Sequence, residues 1–166
     1  MFLKKFFLRI MPVLMLLGAC SSNRGTAEIT LYGNGKIEKE GAAFYVAKAA
    51  GDIKENNVSS LIKYAIEQYR VAYDGDNAET VPEAVASAKN AGAGYTVYPT
   101  VKRWDAINEP GRACQANIEF EIVIYETATG RRVSKTEFVR ECIFPGPNFV
   151  TGDCVNLDQW TEKFIR

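Results

Sequence analysis

The stretch Ile118-Glu119-Phe120-Glu121-Ile122-Val123-Ile124-Tyr125-Glu126-Thr127-Ala128-Thr129-Gly130 decides the fold. Ile118, Phe120, Ile122 and Ile124 alternate with Glu119 and Glu121. That is the period-two pattern of a strand with one buried and one wet face. Thr127 to Gly130 turns the chain, and Arg131 to Glu141 returns as a second strand. Upstream, Tyr95 to Trp104 reads as a third strand, with Tyr95, Val97 and Val101 on one face and Tyr98 and Trp104 on the other. Pro99 inside it predicts an edge position or a bulge, because proline has no N–H for a ladder. Asp105 to Gln115 reads as a polar loop. The second half of the chain is therefore an antiparallel meander.

The first half has a different texture. Glu28 to Tyr32 reads as a short strand ending at the turn Gly33-Asn34-Gly35. Ala43 to Ala49 is apolar on both faces, with Phe44 and Val46 against Tyr45 and Ala47, the pattern of a buried central strand. Asn56 or Asn57 is placed to cap a helix whose stripe is Val58, Leu61, Ile62, Ala65, Ile66 and Tyr69. Val71-Ala72-Tyr73 is a short strand, and Asp74-Gly75-Asp76 turns it. Thr80, Pro82 and Glu83 open a second helix with a capping box, Ala84, Val85 and Ala88 form its inner face, and Gly92 ends it. Leu157 to Ile165 adds a last amphipathic turn or two. The expected order is β-α-β-α-β-β-β. The class is α+β, a mixed sheet with both helices on one face and a late antiparallel meander.

Composition narrows the function. The chain has 166 residues, with 20 basic and 20 acidic side chains and no His. Without His the usual general base, the usual triad member and the commonest zinc ligand are missing. No Gly-x-Ser-x-Gly elbow occurs, and no phosphate-cradling glycine loop follows a strand. Neither a cofactor nor a metal is expected. Carboxylates such as Glu119 and Glu121 could pair for glycoside chemistry, but their i, i+2 spacing on a strand also describes a solvated face.

The N-terminus supplies an address. Lys4, Lys5 and Arg9 precede the apolar run Ile10 to Leu17, and Gly18-Ala19 precedes Cys20. A basic start, a short apolar core and small residues at the cut define a secretory leader over residues 1–19, too short to span a bilayer as a helix. Leu17-Gly18-Ala19-Cys20 resembles a bacterial lipobox. The resemblance implies diacylglycerol on the Cys20 thiol, cleavage before Cys20 and acylation of the new amine. Ser21, rather than Asp, after the cysteine implies the periplasmic face of the outer membrane. Residues 20–27 form a lipidated polar tether with a reach of about 15 Å, and residues 28–166 a single envelope domain. Removing residues 1–19 leaves 17 basic against 20 acidic side chains, a net charge of −3. Such a chain has no electrostatic reason to hold nucleic acid.

The stretch Val81 to Thr100, with Ala91-Gly92-Ala93-Gly94-Tyr95 and Pro99-Thr100 followed by Trp104-Asp105, is similar to a family of uncharacterised bacterial lipoproteins carrying a domain of unknown function. Ala43 to Asp52 resembles that family's first strand, and Phe120 to Thr136 its hairpin. The helix and strand pattern also resembles the amino-terminal domain of TolB, an analogy of fold alone. Two departures stand out. Arg103 takes the place where such proteins often carry His before Trp, and the tail after Phe144 has no counterpart.

Two constellations remain. Tyr98, Arg103, Trp104 and Asp105 gather near the end of one strand, as a groove for a peptide, glycan or partner strand would require. The same residues also serve as sheet cover plus an Arg103–Asp105 or Arg103–Glu109 pair. Cys114, Cys142 and Cys154 stand in an oxidising compartment, where a disulfide is expected. Extending the hairpin register puts Cys114 opposite residues 142–144, so Cys114–Cys142 is the expected bridge, worth about 3 to 4 kcal/mol. Cys142–Cys154 is the alternative. The functional expectation is a membrane-anchored, non-enzymatic binding or assembly module with an envelope protein as partner. The alternative is a periplasmic enzyme working with carboxylates and Tyr. A deep pocket with convergent acids favours the enzyme, and a shallow patch at a sheet edge favours the module.

Overall fold

The structure is a computed structural model that describes residues 27–32, 37, 41–51, 58–107, 114–144 and 157–166. The leader 1–19, tether residues 20–26, the turn Gly33-Asn34-Gly35, the caps Asn56 and Asn57, Glu109 and Cys154 lie outside the described residues, and Ala27, the last residue of the expected tether, is the first of a strand. The elements run β1 (Ala27–Tyr32), β2 (Phe44–Val46), α1 (Val58–Glu67), β3 (Ala72–Asp74), α2 (Val81–Asn90), β4 (Tyr95–Ile107), β5 (Cys114–Glu126), β6 (Arg132–Phe144) and α3 (Asp158–Phe164). The strands form one six-stranded sheet in the order β1-β6-β5-β4-β2-β3. β2 is parallel to β3 and to β4, and β4, β5, β6 and β1 pair antiparallel. The α+β class, the mixed sheet and the late meander are as expected.

Placing both helices on one face is corrected. Val58, Ile62 and Ile66 of α1 are buried with Phe44, Val46, Val97, Phe120, Ile122 and Ile124. Ala84 and Ala88 of α2 are buried with Tyr45, Ala47 and Tyr98, on the opposite face. The reason is topological. β2–α1–β3 steps outward by one strand, and β3–α2–β4 steps back past β2. Parallel crossovers are right-handed, so reversing the direction moves the helix to the other face. α3 joins the α1 side, where Trp160, Phe164 and Ile165 are buried in the larger cluster.

Local signals explain the ends of α2. The Glu83 carboxylate accepts the Thr80 N–H at 3.2 Å and the Glu79 N–H at 3.0 Å. At the other end Gly92 takes φ +72°, the Gly92 N–H donates to the Lys89 carbonyl and the Ala93 N–H to the Ala88 carbonyl. That is the Schellman pair of bonds. α1 is shorter than its apolar stripe suggests: Tyr69 lies beyond its last turn, is 47% exposed, and carries the Arg166 guanidinium 5.8 Å from its ring centre.

β4 departs from its expected pattern in two ways. It is an interior strand, so Pro99 does not mark a sheet edge. The Val97 carbonyl accepts the Ala47 N–H and the Pro99 carbonyl accepts the Ala50 N–H, which turns the Pro99 nitrogen toward the β2 side. The parallel ladder breaks after Val46–Val97, where the missing donor would have continued it, and a single bridge between Ala50 and Thr100 follows. The bulge falls later, between Val101 and Arg103. It adds one residue and inverts the alternation. Val101 and Trp104 consequently pack against the same cluster, where strict alternation had put them on opposite faces. β4 also runs on to Ile107 and β5 begins at Cys114, so the polar loop is shorter than residues 105–115.

A second register shift lies between Ile124 and Tyr125, opposite Val133. Beyond it Cys114 stands opposite Phe144 and Cys142 opposite Ala116. Cys114 thus meets one limit of the expected range, but the two cysteines are diagonal neighbours, not directly opposed. Diagonal positions lie about 7 to 8 Å apart, against about 4.4 to 6.8 Å between the Cα atoms of a disulfide. Their side chains lie outside the described ones.

Ile122 is wholly buried beneath the α1 side, and Phe120 and Phe138 stack beside it with ring centres 4.6 Å apart. Replacing Ile122 by Ala is expected to cost about 2 to 5 kcal/mol through lost burial and the cavity left behind. Val139→Ala, at a site 48% exposed, is expected to stay within about 0.5 kcal/mol. Urea unfolding of the two variants measures both.

Candidate functional site

In doubly wound sheets ligands enter a crevice beyond the carboxyl ends of the strands, where the direction of winding reverses. Here that place is the end of β2 beside β4. The chain's own segment 75–79 fills it. The Gly75 N–H donates to the Val46 carbonyl at 2.8 Å, and the Lys48 N–H to the Asp76 carbonyl at 3.2 Å. The Asp76 N–H donates to the Tyr45 hydroxyl at 2.8 Å. The Tyr98 hydroxyl reaches the Ala78 carbonyl at 3.3 Å and the Glu79 carbonyl at 3.1 Å. Tyr45 and Tyr98 thus serve as posts that hold the segment down.

The approach at Gly75 is closest. A Cβ there would stand 2.5 Å from the Val46 carbonyl oxygen and 2.7 Å from Tyr45 Cε1.

The four residues expected to gather on β4 are divided. Tyr98 is buried on the α2 face. Trp104, half-buried, packs on the other face against the larger cluster. Arg103 and Asp105 share the α2 face and pair with each other, both exposed. The bulge causes this split, because it turns Trp104 away from Tyr98. Sequence spacing carried the Arg103–Asp105 pair, and Pro99 signalled a bulge on this strand without fixing its place.

What the bulge assembles is a charged field on the α2 face of β4, β5 and β6. The Lys102 Nζ lies 3.8 Å from Glu119, 3.6 Å from Glu121 and 3.4 Å from Glu137. The Lys135 Nζ lies 2.7 Å from Glu121 and 3.0 Å from Glu137. Cross-strand register puts Glu121 opposite Glu137, and the lysines offset that like-charge pair. The hydrogen bonds that the Lys135 ammonium donates to Glu121, and then to Glu137, raise the Lys135 pKa. The hydrogen bond from Lys135, helped by the Lys102 charge, holds Glu137 below the ordinary carboxylate value. Glu137, held as the anion, is a poor proton donor, and the contacts join two lysines and three glutamates in one ion network. Burial raises the Tyr125 pKa, which keeps the phenol protonated.

Sequence reasoning missed one more surface. Val71, 57% exposed, and Tyr73, 41% exposed, lie on either side of Ala72 at the outer end of the sheet order, and Tyr64 on α1 and Tyr69 just after it are exposed nearby. The available signal was a strand of only three residues with a large apolar residue on either side of Ala72.

Among the described residues no group of three or more His, Cys, Asp or Glu side chains is placed to hold a metal. Among the described residues no helix is long and apolar enough to cross a membrane.

Two outcomes are expected. Gly75→Ala should destabilise the domain by about 1 to 3 kcal/mol through overpacking, read from the urea midpoint. Glu137 has a depressed folded pKa. Its contribution is therefore complete above the unfolded glutamate value and fades as pH falls through the folded one. Glu137→Gln should flatten the loss of thermal midpoint on acidification below about pH 4.5, and high salt should mimic it in part.

No protein-family model and no curated protein matches the sequence. Among solved structures, the fold is similar to the PelC dodecamer from Paraburkholderia phytofirmans, with a TM-score of 0.59 at 11% identity over 77% of this chain and 88% of that one. A single-substitution variant of that dodecamer gives a TM-score of 0.60 at 16% identity, covering 86% of this chain and 99% of that one. The lipoprotein GNA1162 from Neisseria meningitidis gives 0.46 at 13% identity, over 73% and 93%. At these identities the likeness to PelC is one of fold.

Proposed function

We propose that the chain is a lipid-anchored protein of the outer membrane, facing the periplasm, that acts as a non-enzymatic binding or assembly module of the cell envelope. The observation that carries this reading is the segment 75–79, which occupies the crevice where a sheet of this winding holds its ligand. The lysine-paired state of Glu119, Glu121 and Glu137 supports it, since the carboxylates an enzyme would use are engaged in ion pairs. The absence of His from the sequence points the same way. The similarity to PelC, a dodecamer, supports the use of this fold as a part of a larger assembly. The anchor rests on Leu17-Gly18-Ala19-Cys20 behind a basic and apolar leader. Two or more acyl chains on Cys20 would hold the domain stably, where one would not.

Metabolic labelling with a palmitate analogue tests the anchor. The wild-type chain is expected to take up label and the Cys20→Ser variant none, with the variant persisting as the longer precursor. Equal label on both would overturn the anchor. Crosslinking in intact envelopes, followed by capture of the tagged chain, tests the module. A turnover abolished by changing one carboxylate would replace it with the enzyme reading.

A further inference from the structure

β3 is the last strand of the sheet order, and its inner edge is fully used. The Val71 carbonyl accepts the Phe44 N–H at 2.9 Å and the Gly75 N–H donates to the Val46 carbonyl at 2.8 Å. Odd residues thus turn their backbone groups toward β2. By the alternation of a strand, Ala72 and Asp74 turn theirs outward. An edge of this kind is a template for another strand.

The sequence along this edge is its own complement. It reads Arg70-Val71-Ala72-Tyr73-Asp74. We propose that a second copy of the chain pairs with it antiparallel, β3 against β3, with Ala72 on the two-fold axis. Arg70 then faces the partner's Asp74, and Val71 faces the partner's Tyr73. The contact is isologous, so each pair occurs twice.

Each part of this register matches an observation. Ala72 turns its N–H and C=O outward, as the two residues of a hydrogen-bonded pair must. The Arg70 N–H is spent on the Ile66 carbonyl, so at this end the register rests on the side-chain pair. Asp74 has a side chain 80% exposed although it touches Lys63 at 3.2 Å. Arg70 uses its Nε on the Ile165 carbonyl at 3.1 Å, which leaves the terminal nitrogens for a carboxylate. Val71 and Tyr73 form a non-hydrogen-bonded pair, where side chains approach closest, and a β-branched residue against an aromatic one is a favourable cross-strand pair. Of the five large apolar residues exposed among the described ones, four are Tyr64, Tyr69, Val71 and Tyr73, all at this end of the molecule. Opposite charge at 70 and 74, with apolar side chains at 71 and 73, selects a copy of this chain over a foreign strand.

Because Val71 and Tyr73 are exposed, charges there leave the fold intact. The full chain, purified from membranes in detergent, is followed by sedimentation over a range of concentrations. The wild type is expected to pass from monomer to dimer. The double variant Val71→Lys with Tyr73→Lys puts like charges opposite each other twice and should weaken dimerisation by about tenfold or more. The double variant Val71→Glu with Tyr73→Lys puts opposite charges in the same places and should restore it. A wild type that stays monomeric overturns the proposal and leaves the edge to another protein. A dimer untouched by the lysine pair places self-association on another surface. Failure of the Glu and Lys combination to restore the dimer refutes the antiparallel register. None of these outcomes bears on the Cys20 label, so the anchor and the dimer fail separately.

Discussion

The sheet is organised by β4, whose two sides are bonded in opposite senses. Toward β2 it is a parallel strand for only three rungs. Toward β5 it is antiparallel along nearly its whole length. Parallel pairing demands a crossover, and the chain supplies α1 and α2 for the purpose. Antiparallel pairing needs only turns, and the second half of the chain supplies those. Pro99 sits where the three-rung ladder is interrupted. Its nitrogen faces the β2 side, so its ring breaks the parallel pairing without touching the antiparallel one, and a single parallel bridge between Ala50 and Thr100 follows. The Thr96 and Thr127 hydroxyls, 3.0 Å apart, and the bond from the Thr127 N–H to the Gly94 carbonyl then tie the far hairpin turn back to the start of β4.

Much of this was legible in the residues. Period-two alternation in Ile118 to Ile124 identified the buried face, and Thr80 with Glu83 identified the start of α2, since both are local effects of single side chains. The two-sided apolarity of β2 correctly implied a strand covered on both faces. What was not legible came from pairings distant in sequence. The faces of α1 and α2 follow from strand order, which no local pattern encodes. The bulge after Val101 is one inserted residue, and nothing in Lys102 announces it. That residue alone decides that Trp104 joins the α1 face, which dissolved the expected cluster of Tyr98 and Trp104 while leaving Arg103 beside Asp105. Tyr69 continued the apolar stripe by spacing, but the helix stops at Glu67.

The two faces of the sheet end up with different characters. One is closed by α1 and α3 around Trp160, Phe44 and Phe120. The other is closed over β2 and the start of β4 by the small residues of α2, and beyond that it is an open lattice of lysines and glutamates. Small side chains on α2 let the helix lie close enough for Tyr45 and Tyr98 to reach the backbone of residues 76–79. The cover of the crevice is therefore set by the alanines of α2 as much as by the segment that fills it. The charged lattice resists sticking by its solvation, and among the described residues four of the five exposed large apolar side chains lie at the β3 end.

β1 has a single partner in the sheet, and that partner is β6, with Ala27 opposite Arg140. The first strand made by the ribosome is thus completed by almost the last. Nearly the whole chain must be delivered before this seam closes, and the entropy of closing so large a loop is met only when the β4 to β6 meander is already in place. β1 therefore has no strand to pair with until β6, far along the chain, has joined the meander, so the seam between them unites segments that no local contact brings together.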